Sequence, residues 1–360
     1  MENKSSKAKL NYLDIARGIG IVVVILAHVD TGDNPLCSFI GSFCMSIFFI
    51  VSGALLFYLD KWRKESLGAL ILKRIKGVLY PYFTFSFLVI AYYTFMRVVF
   101  KDGSFSNIYE IFKSTIRLEG YDAMWFMPTL FFAELVFLLW MRFVANPKDD
   151  NEITLKKSSI LEWIGFLITL FLSLVLYIIL HYGIIEEYAD GWFFVVKITR
   201  VLMSAVFIYA GYFYFKYKNK LLSLNKKAVT VASVFIIVAD MFVCQPNHFV
   251  DYAFVRIVSL PLLYACGILV PCAILYLLET YNVRSKVFEF FGCNSLTMMA
   301  THNPLPLLVT VRALYQDYVP SIARYVDDVI ILIIILLLEI PIVLFINKFL
   351  PFLVRFPKKR

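Results

Sequence analysis

Residues 13–30 read LDIARGIGIVVVILAHVD, in which ten uncharged residues separate Arg17 from His28. A hydrocarbon core of about 30 Å takes roughly 20 helical residues at about 1.5 Å each, so the segment 12–30 is long and apolar enough to cross a bilayer. Comparable runs recur over residues 36–59, 78–100, 124–144, 160–182, 192–215, 228–244, 253–278, 288–311 and 326–350. The reading is an all-α, polytopic membrane protein with about ten transmembrane helices. Pro261, Pro271, Pro304 and Pro306 can break or kink the later spans, which leaves nine or eleven open.

Composition agrees. Of 360 residues 61% are hydrophobic and 17% charged, and the mean hydropathy is +0.76, whereas soluble domains carry about 25% charge. That excludes a water-soluble fold, a disordered chain and a secreted disulfide scaffold. A net charge of +9 would suit nucleic acid, but position decides its meaning. The basic residues gather at the N-terminal tail (Lys4, Lys7, Lys9), around Lys61–Lys76, at Lys148, Lys156 and Lys157, over Lys216–Lys227, at Arg284 and Lys286, and at Lys358–Arg360. The alternate connections are poor in base, and residues 183–191 hold Glu186, Glu187 and Asp190 instead. By the positive-inside rule both termini are cytoplasmic, and the charge is a topology signal rather than a nucleic-acid surface.

Residues 1–360 read as a single integral-membrane domain, because no soluble domain is inserted and the longest connection, 101–123, has room only for a short surface helix. The first apolar run lacks a small-residue cleavage site and is expected to stay as a span. The six cysteines show no metal-ligand spacing, and a Cys37–Cys244 bridge between outer connections is one pairing they allow. No phosphate-binding Gly-rich loop, HExxH or GxSxG is present.

Charge inside a span costs at least about 2.5–3.5 kcal/mol, so each such residue is a functional candidate. At about 100° per residue the step from Arg17 to His28 closes to within about 20°, and Asp14 joins them within about 40°. One face of an otherwise apolar helix therefore carries a carboxylate, a guanidinium and an imidazole, with His28 about 16 Å beyond Arg17 toward the outer end. Imidazole suits proton transfer from a hydroxyl, and guanidinium suits an anion or a developing oxyanion. The plainer reading stays open: Asp14 and Arg17 pair at the inner interface while His28 caps the outer end. Lys197 and Arg200 share a face of the sixth span, either for an anionic ligand or for ion-paired packing, with Glu134, Asp240, Arg256 and Glu339 as candidate partners. His181 and His248 read as solvated.

The same stripe resembles the hallmark of the bacterial integral-membrane acyltransferase 3 family, in which an arginine and a histidine are separated by ten residues. Met45-Ser46-Ile47-Phe48-Phe49-Ile50-Val51-Ser52-Gly53 resembles the family's second-span segment. Lys73-Arg74-Ile75-Lys76 before Pro81-Tyr82, Trp125-Phe126-Met127-Pro128, and Gly292-Cys293-Asn294-Ser295-Leu296 followed by His302 are similar to its later blocks, in the expected order. The best-matching branch is that of fucose 4-O-acetylase-like proteins. Cys44, Ser46 and Gly77 depart from the histidine, proline and second arginine often found there.

The resemblance implies O-acylation, usually O-acetylation, of a carbohydrate or glycolipid hydroxyl, in the bacterial cytoplasmic membrane. No cofactor is expected to be permanently bound, and acetyl-CoA is the expected co-substrate. Arg17 and His28 are then the catalytic pair; Arg74, with Lys73 and Lys76, would meet the donor's phosphates. Asp14, Trp125, Glu134, Asn294 and His302 are possible walls of the site. A carboxylate partner would fix the tautomer of His28, but none is identifiable, since Asp14 lies about 21 Å away along the helix and Asp30 at its end. The rival reading is a carrier or flippase for a sugar, glycan or organic anion, since intramembrane charges on many helices also describe transporters.

Overall fold

The whole stripe lies on one unbroken helix, α1 (Asn11–Val29). The computed structural model describes residues 10–29, 39–101, 105–147, 151–181, 192–243 and 260–356, and no strand occurs among them. After α1 come α2 (Ser46–Leu59), a single turn at Lys61–Lys64, α3 (Leu67–Arg74), a π-helical turn (Ile75–Leu79) and α4 (Tyr80–Val99). Next are α5 (Phe105–Ile116), a 3-10 turn (Asp122–Trp125), α6 (Phe126–Phe143), α7 (Glu152–His181), α8 (Trp192–Leu222) and α9 (Lys226–Val243). The chain continues with α10 (Leu260–Thr280), α11 (Lys286–Cys293), α12 (Ser295–Thr301), α13 (Leu307–Tyr318) and α14 (Arg324–Phe349).

Among the described residues seven helices are long and apolar enough to cross a membrane: Asn11–Val29, Phe39–Leu59, Leu67–Val99, Asp122–Phe143, Glu152–Leu180, Phe194–Leu222 and Tyr325–Phe349. Tyr264–Thr280 is a shorter apolar helix. Of the expected runs, 228–244, 253–278 and 288–311 are not among the seven, and the third differs in extent. The third run extends back to Leu67, because Ser66 caps α3 by accepting from the Ala69 amide at 3.3 Å and the π turn carries the helix on into α4. The run 288–311 is not one rod but α11, α12 and the start of α13. Its breaks fall at Asn294 and at residues 302–306, where Pro304 and Pro306 lack an N–H and would clash with the preceding turn. The connection 101–123 does carry a short helix, α5.

Small residues set the closest helix crossings, as expected where lipid removes the hydrophobic drive between helices. A Cβ on Gly53 would lie 2.0 Å from the Ile208 carbonyl oxygen, and one on Gly211 would lie 2.0 Å from that of Ile50, so α2 and α8 touch backbone to backbone. α1 and α11 meet likewise, with a Cβ on Gly18 2.1 Å from the Phe288 oxygen. That contact fixes the rotation of α1 and thereby the direction of Arg17. Phe171, Phe235 and Leu337, on α7, α9 and α14, stay exposed, as lipid-facing side chains should.

Buried charges are paired locally. Glu162 on α7 contacts Lys216 closely, accepts from the Tyr212 hydroxyl at 3.0 Å and lies 3.8 Å from Arg63. Asp240 accepts from Ser42 Oγ at 2.6 Å and Glu339 from Thr301 Oγ1 at 2.8 Å. The partner of Lys197 is Glu119, at 3.0 Å, rather than Glu134, which holds Arg74. Asp30, Cys37, Cys244, His248 and Arg256 lie outside the described residues, as does the side chain of His181.

Candidate functional site

The C-terminal turn of α1 carries His28. Its Nδ1 lies 2.8 Å from the Val24 carbonyl oxygen. A carbonyl can only accept, so Nδ1 carries a proton, and in the neutral ring Nε2 holds the lone pair. Nε2 points toward Asp122 Oδ1, 3.8 Å away, and Asp122 Oδ2 accepts from Asn303 Nδ2 at 2.5 Å. Asp122 opens the 3-10 turn with a left-handed backbone, φ 51°, which Asp tolerates better than most residues. His302, following α12, packs edge to face on His28 with ring centroids 5.0 Å apart. Its Nδ1 donates to the Met298 carbonyl at 2.7 Å, leaving Nε2 buried without a hydrogen-bond partner.

The end of α1 is itself held. Arg312 on α13 donates to the His28 carbonyl at 3.0 Å and to that of Val29, occupying the open carbonyls of the last turn. Three groups that the spacing of the sequence does not connect, Asp122, His302 and Arg312, thus meet at His28, and Asn303 holds the first of them.

One and a half helix turns from the start of α1, Arg17 pairs with Asp14, as the plainer reading of the sequence has it. The pairing leaves the guanidinium partly unused, for Nε is buried without a hydrogen-bond partner. Arg17 lines a cavity of about 180 Å³ together with Ser52, Arg74, Phe126, Glu134 and Ser295. Glu134 is 1% exposed, accepts from Ser52 Oγ, and lies 2.9 Å from Arg74 Nε without hydrogen-bond alignment. A second cavity of about 180 Å³, lined by Lys61, Trp62 and Lys73, also reaches Arg74, which therefore stands between the two.

Adjoining stretches of chain wall the cavity and the imidazole. Phe126 of α6 and Ser295 of α12 bound the Arg17 end, while Asp122, in the 3-10 turn that leads into α6, and His302, directly after α12, bound His28. The remaining expected residues are placed differently. Lys73 pairs with Glu65 at 2.6 Å and Lys76 lies 4.9 Å from the centre of the Phe356 ring, both at the exposed end of the π turn. Asn294 is engaged in packing: its Nδ2 donates to the Phe290 carbonyl at 2.7 Å and its Oδ1 accepts from Asn347 at 2.9 Å. Trp125 lies under the Arg200 guanidinium at 4.7 Å. Among the described residues no cluster of His, Cys, Asp and Glu could hold a metal ion.

A family model described as an acyltransferase domain matches residues 10–348, nearly the entire chain. The chain belongs to the acyltransferase 3 family. No curated protein and no solved structure matches it. Membership and the apolar helices together make it a multi-pass membrane acyltransferase of all-α architecture. The matched region of this acyltransferase includes every residue placed above around His28 and Arg17.

Proposed function

We propose that this acyltransferase moves an acetyl group from acetyl-CoA to a hydroxyl of a cell-surface or lipid-linked carbohydrate, in the bacterial cytoplasmic membrane, with His28 as general base. The observation that carries the reading is the fixed tautomer of His28: with Nδ1–H bound to Val24, the basic nitrogen faces Asp122 near the outer end of the helix.

The chemistry follows from that placement. Nε2 takes the hydroxyl proton as the sugar oxygen attacks the thioester carbonyl carbon, which forms the new C–O bond. The C–S bond then breaks, and the imidazolium returns the proton to the departing thiolate. No covalent enzyme intermediate is required. Asp122 stabilises the imidazolium and Asn303 holds Asp122 in place, while base catalysis of this kind is typically worth about 10² to 10⁴ in rate. Arg17, with Nε unused by the protein, orients the donor, and Arg74 is the first cation on the path from the exposed Lys73 and Lys76. Arg74 is suited to phosphate because its guanidinium is planar and permanently charged.

The test is reconstitution of the purified protein with acetyl-CoA and a glycan acceptor, followed by mass spectrometry of the glycan. Wild type adds acetyl groups; His28→Ala, inserted and folded normally, adds none. Undiminished transfer by that variant would falsify the role of His28, and sugar movement across the vesicle without acetylation would favour a carrier.

A further inference from the structure

A groove of about 440 Å³ runs between α6 and α8, outside the site just described. Pro128, Leu135 and Leu139 form its α6 wall, and Arg117, Lys197 and Arg200 also line it. From Pro128 to Leu139 the helix rises about 16 Å, close to the roughly 15 Å hydrocarbon depth of a single leaflet. Phe194, on the α8 wall, is 65% exposed, so the groove opens sideways to lipid. Its size, length and lining suit one extended hydrocarbon chain.

The cations sit together at one end. Lys197 donates to the Arg117 carbonyl at 3.1 Å and pairs with Glu119 at 3.0 Å, which ties α8 to the end of α5. Arg200 stacks on Trp125, the last residue of the turn that begins with Asp122, so the cations occupy the His28 end of the bundle. The connections at that end carry fewer basic residues than those at the other, and the positive-inside bias does not account for cations there. Glu119 matches Lys197, and the exposed Arg117 adds further positive charge to the groove wall.

We propose that this groove is a binding site for an anionic phospholipid, one acyl chain lying along α6 and the phosphodiester held by Arg117, Lys197 and Arg200. Guanidinium forks match phosphate oxygens, and basic pockets between transmembrane helices recognise such headgroups. The occupant follows by exclusion on the same features. Free phosphate leaves the apolar length unfilled, a choline headgroup adds a cation beside the exposed Arg117, and a long polyprenyl tail exceeds a channel one leaflet deep. The groove shares no lining residue with the Arg17 cavity.

The experiment incubates the purified full chain with equal amounts of phosphatidylglycerol and phosphatidylcholine and weighs the retained lipid by native mass spectrometry. Wild type retains phosphatidylglycerol at least about fivefold over phosphatidylcholine, the equivalent of about 1 kcal/mol for a single cation near an anionic headgroup. Arg117→Gln, an exposed substitution that leaves packing untouched, reduces the preference, and adding Arg200→Gln brings it to parity. Leu135→Trp fills the channel and lowers retention while leaving the cations in place; size-exclusion profiles confirm that each variant is folded. Parity in wild type, a preference unchanged by all three substitutions, displacement of the bound lipid by inorganic phosphate alone, or stronger retention of polyprenyl phosphate overturns the proposal.

Discussion

His28 Nε2 lies 3.8 Å from Asp122 Oδ1, and the second oxygen of that carboxylate is held by Asn303 at 2.5 Å. The carboxylate therefore cannot turn away from the imidazole without giving up a hydrogen bond. Asp122→Asn keeps the size of the side chain and removes its charge. It is expected to lower kcat by about 10- to 100-fold, within the range of base catalysis, with little change in the KM for acetyl-CoA. Steady-state acyl transfer measures both; an unchanged kcat would remove Asp122 from the mechanism.

Arg312 binds the carbonyl oxygens of His28 and Val29 from another helix. Arg312→Ala frees the last turn of α1 and removes a cation from a helix C-terminus, a loss of up to about 2 kcal/mol where the contact is partly buried. Transfer should fall together with the thermal midpoint, and Arg312→Lys should recover part of both. A variant with normal stability and normal rate would show that the end of α1 needs no support.

Arg74 and Glu134 form a pair of unequal burial, with 33% and 1% side-chain exposure. Removing Arg74 leaves a carboxylate inside protein, whereas removing Glu134 leaves a guanidinium that still reaches solvent. Breaking a fully buried pair costs about 3–5 kcal/mol. Arg74→Ala should approach that range and Glu134→Ala should cost less, with the double variant more stable than Arg74→Ala. Thermal unfolding in detergent gives the order; equal costs would contradict it.

Gly53 and Gly211 let α2 and α8 cross with no room for a side chain. Gly211→Leu should abolish the monodisperse folded species, because the atom it must avoid is backbone. A Cβ added at Gly68 would meet nothing within 4 Å, so Gly68→Ala should be neutral or stabilising by about 0.5–1 kcal/mol. Fluorescence-detected size exclusion separates the two outcomes, and a well-behaved Gly211→Leu would mean the helices can part.

Some of this was legible in the chain itself. The Arg17-to-His28 stripe can be read because both residues lie on one helix, where angular spacing follows from residue number. The pairing of Asp14 with Arg17 is legible for the same reason. Asp122 is not, since it approaches His28 from a turn after the α5 connection, and no local periodicity ties the two together. Arg312 is likewise joined to α1 only by the tertiary fold. The continuous span over 288–311 fails because hydropathy does not register the backbone cost of Pro304 and Pro306, although the residues themselves warn of it. For Lys197 and Arg200 the structure shows an ion pair at Lys197 and a groove that both residues line.

The π turn at Ile75–Leu79 follows directly after Arg74. A wide turn of this kind accommodates one residue more than an α-helix, which offsets the angular phase of everything before it by about 100° relative to α4. Deleting Gly77, whose Cβ position is open on all sides, would let the helix wind regularly and swing Arg74 off the carboxylate of Glu134 toward another face. The aim of that guanidinium is thus set by a count of residues in the backbone, and an insertion or deletion there would redirect it without altering any side chain in the site.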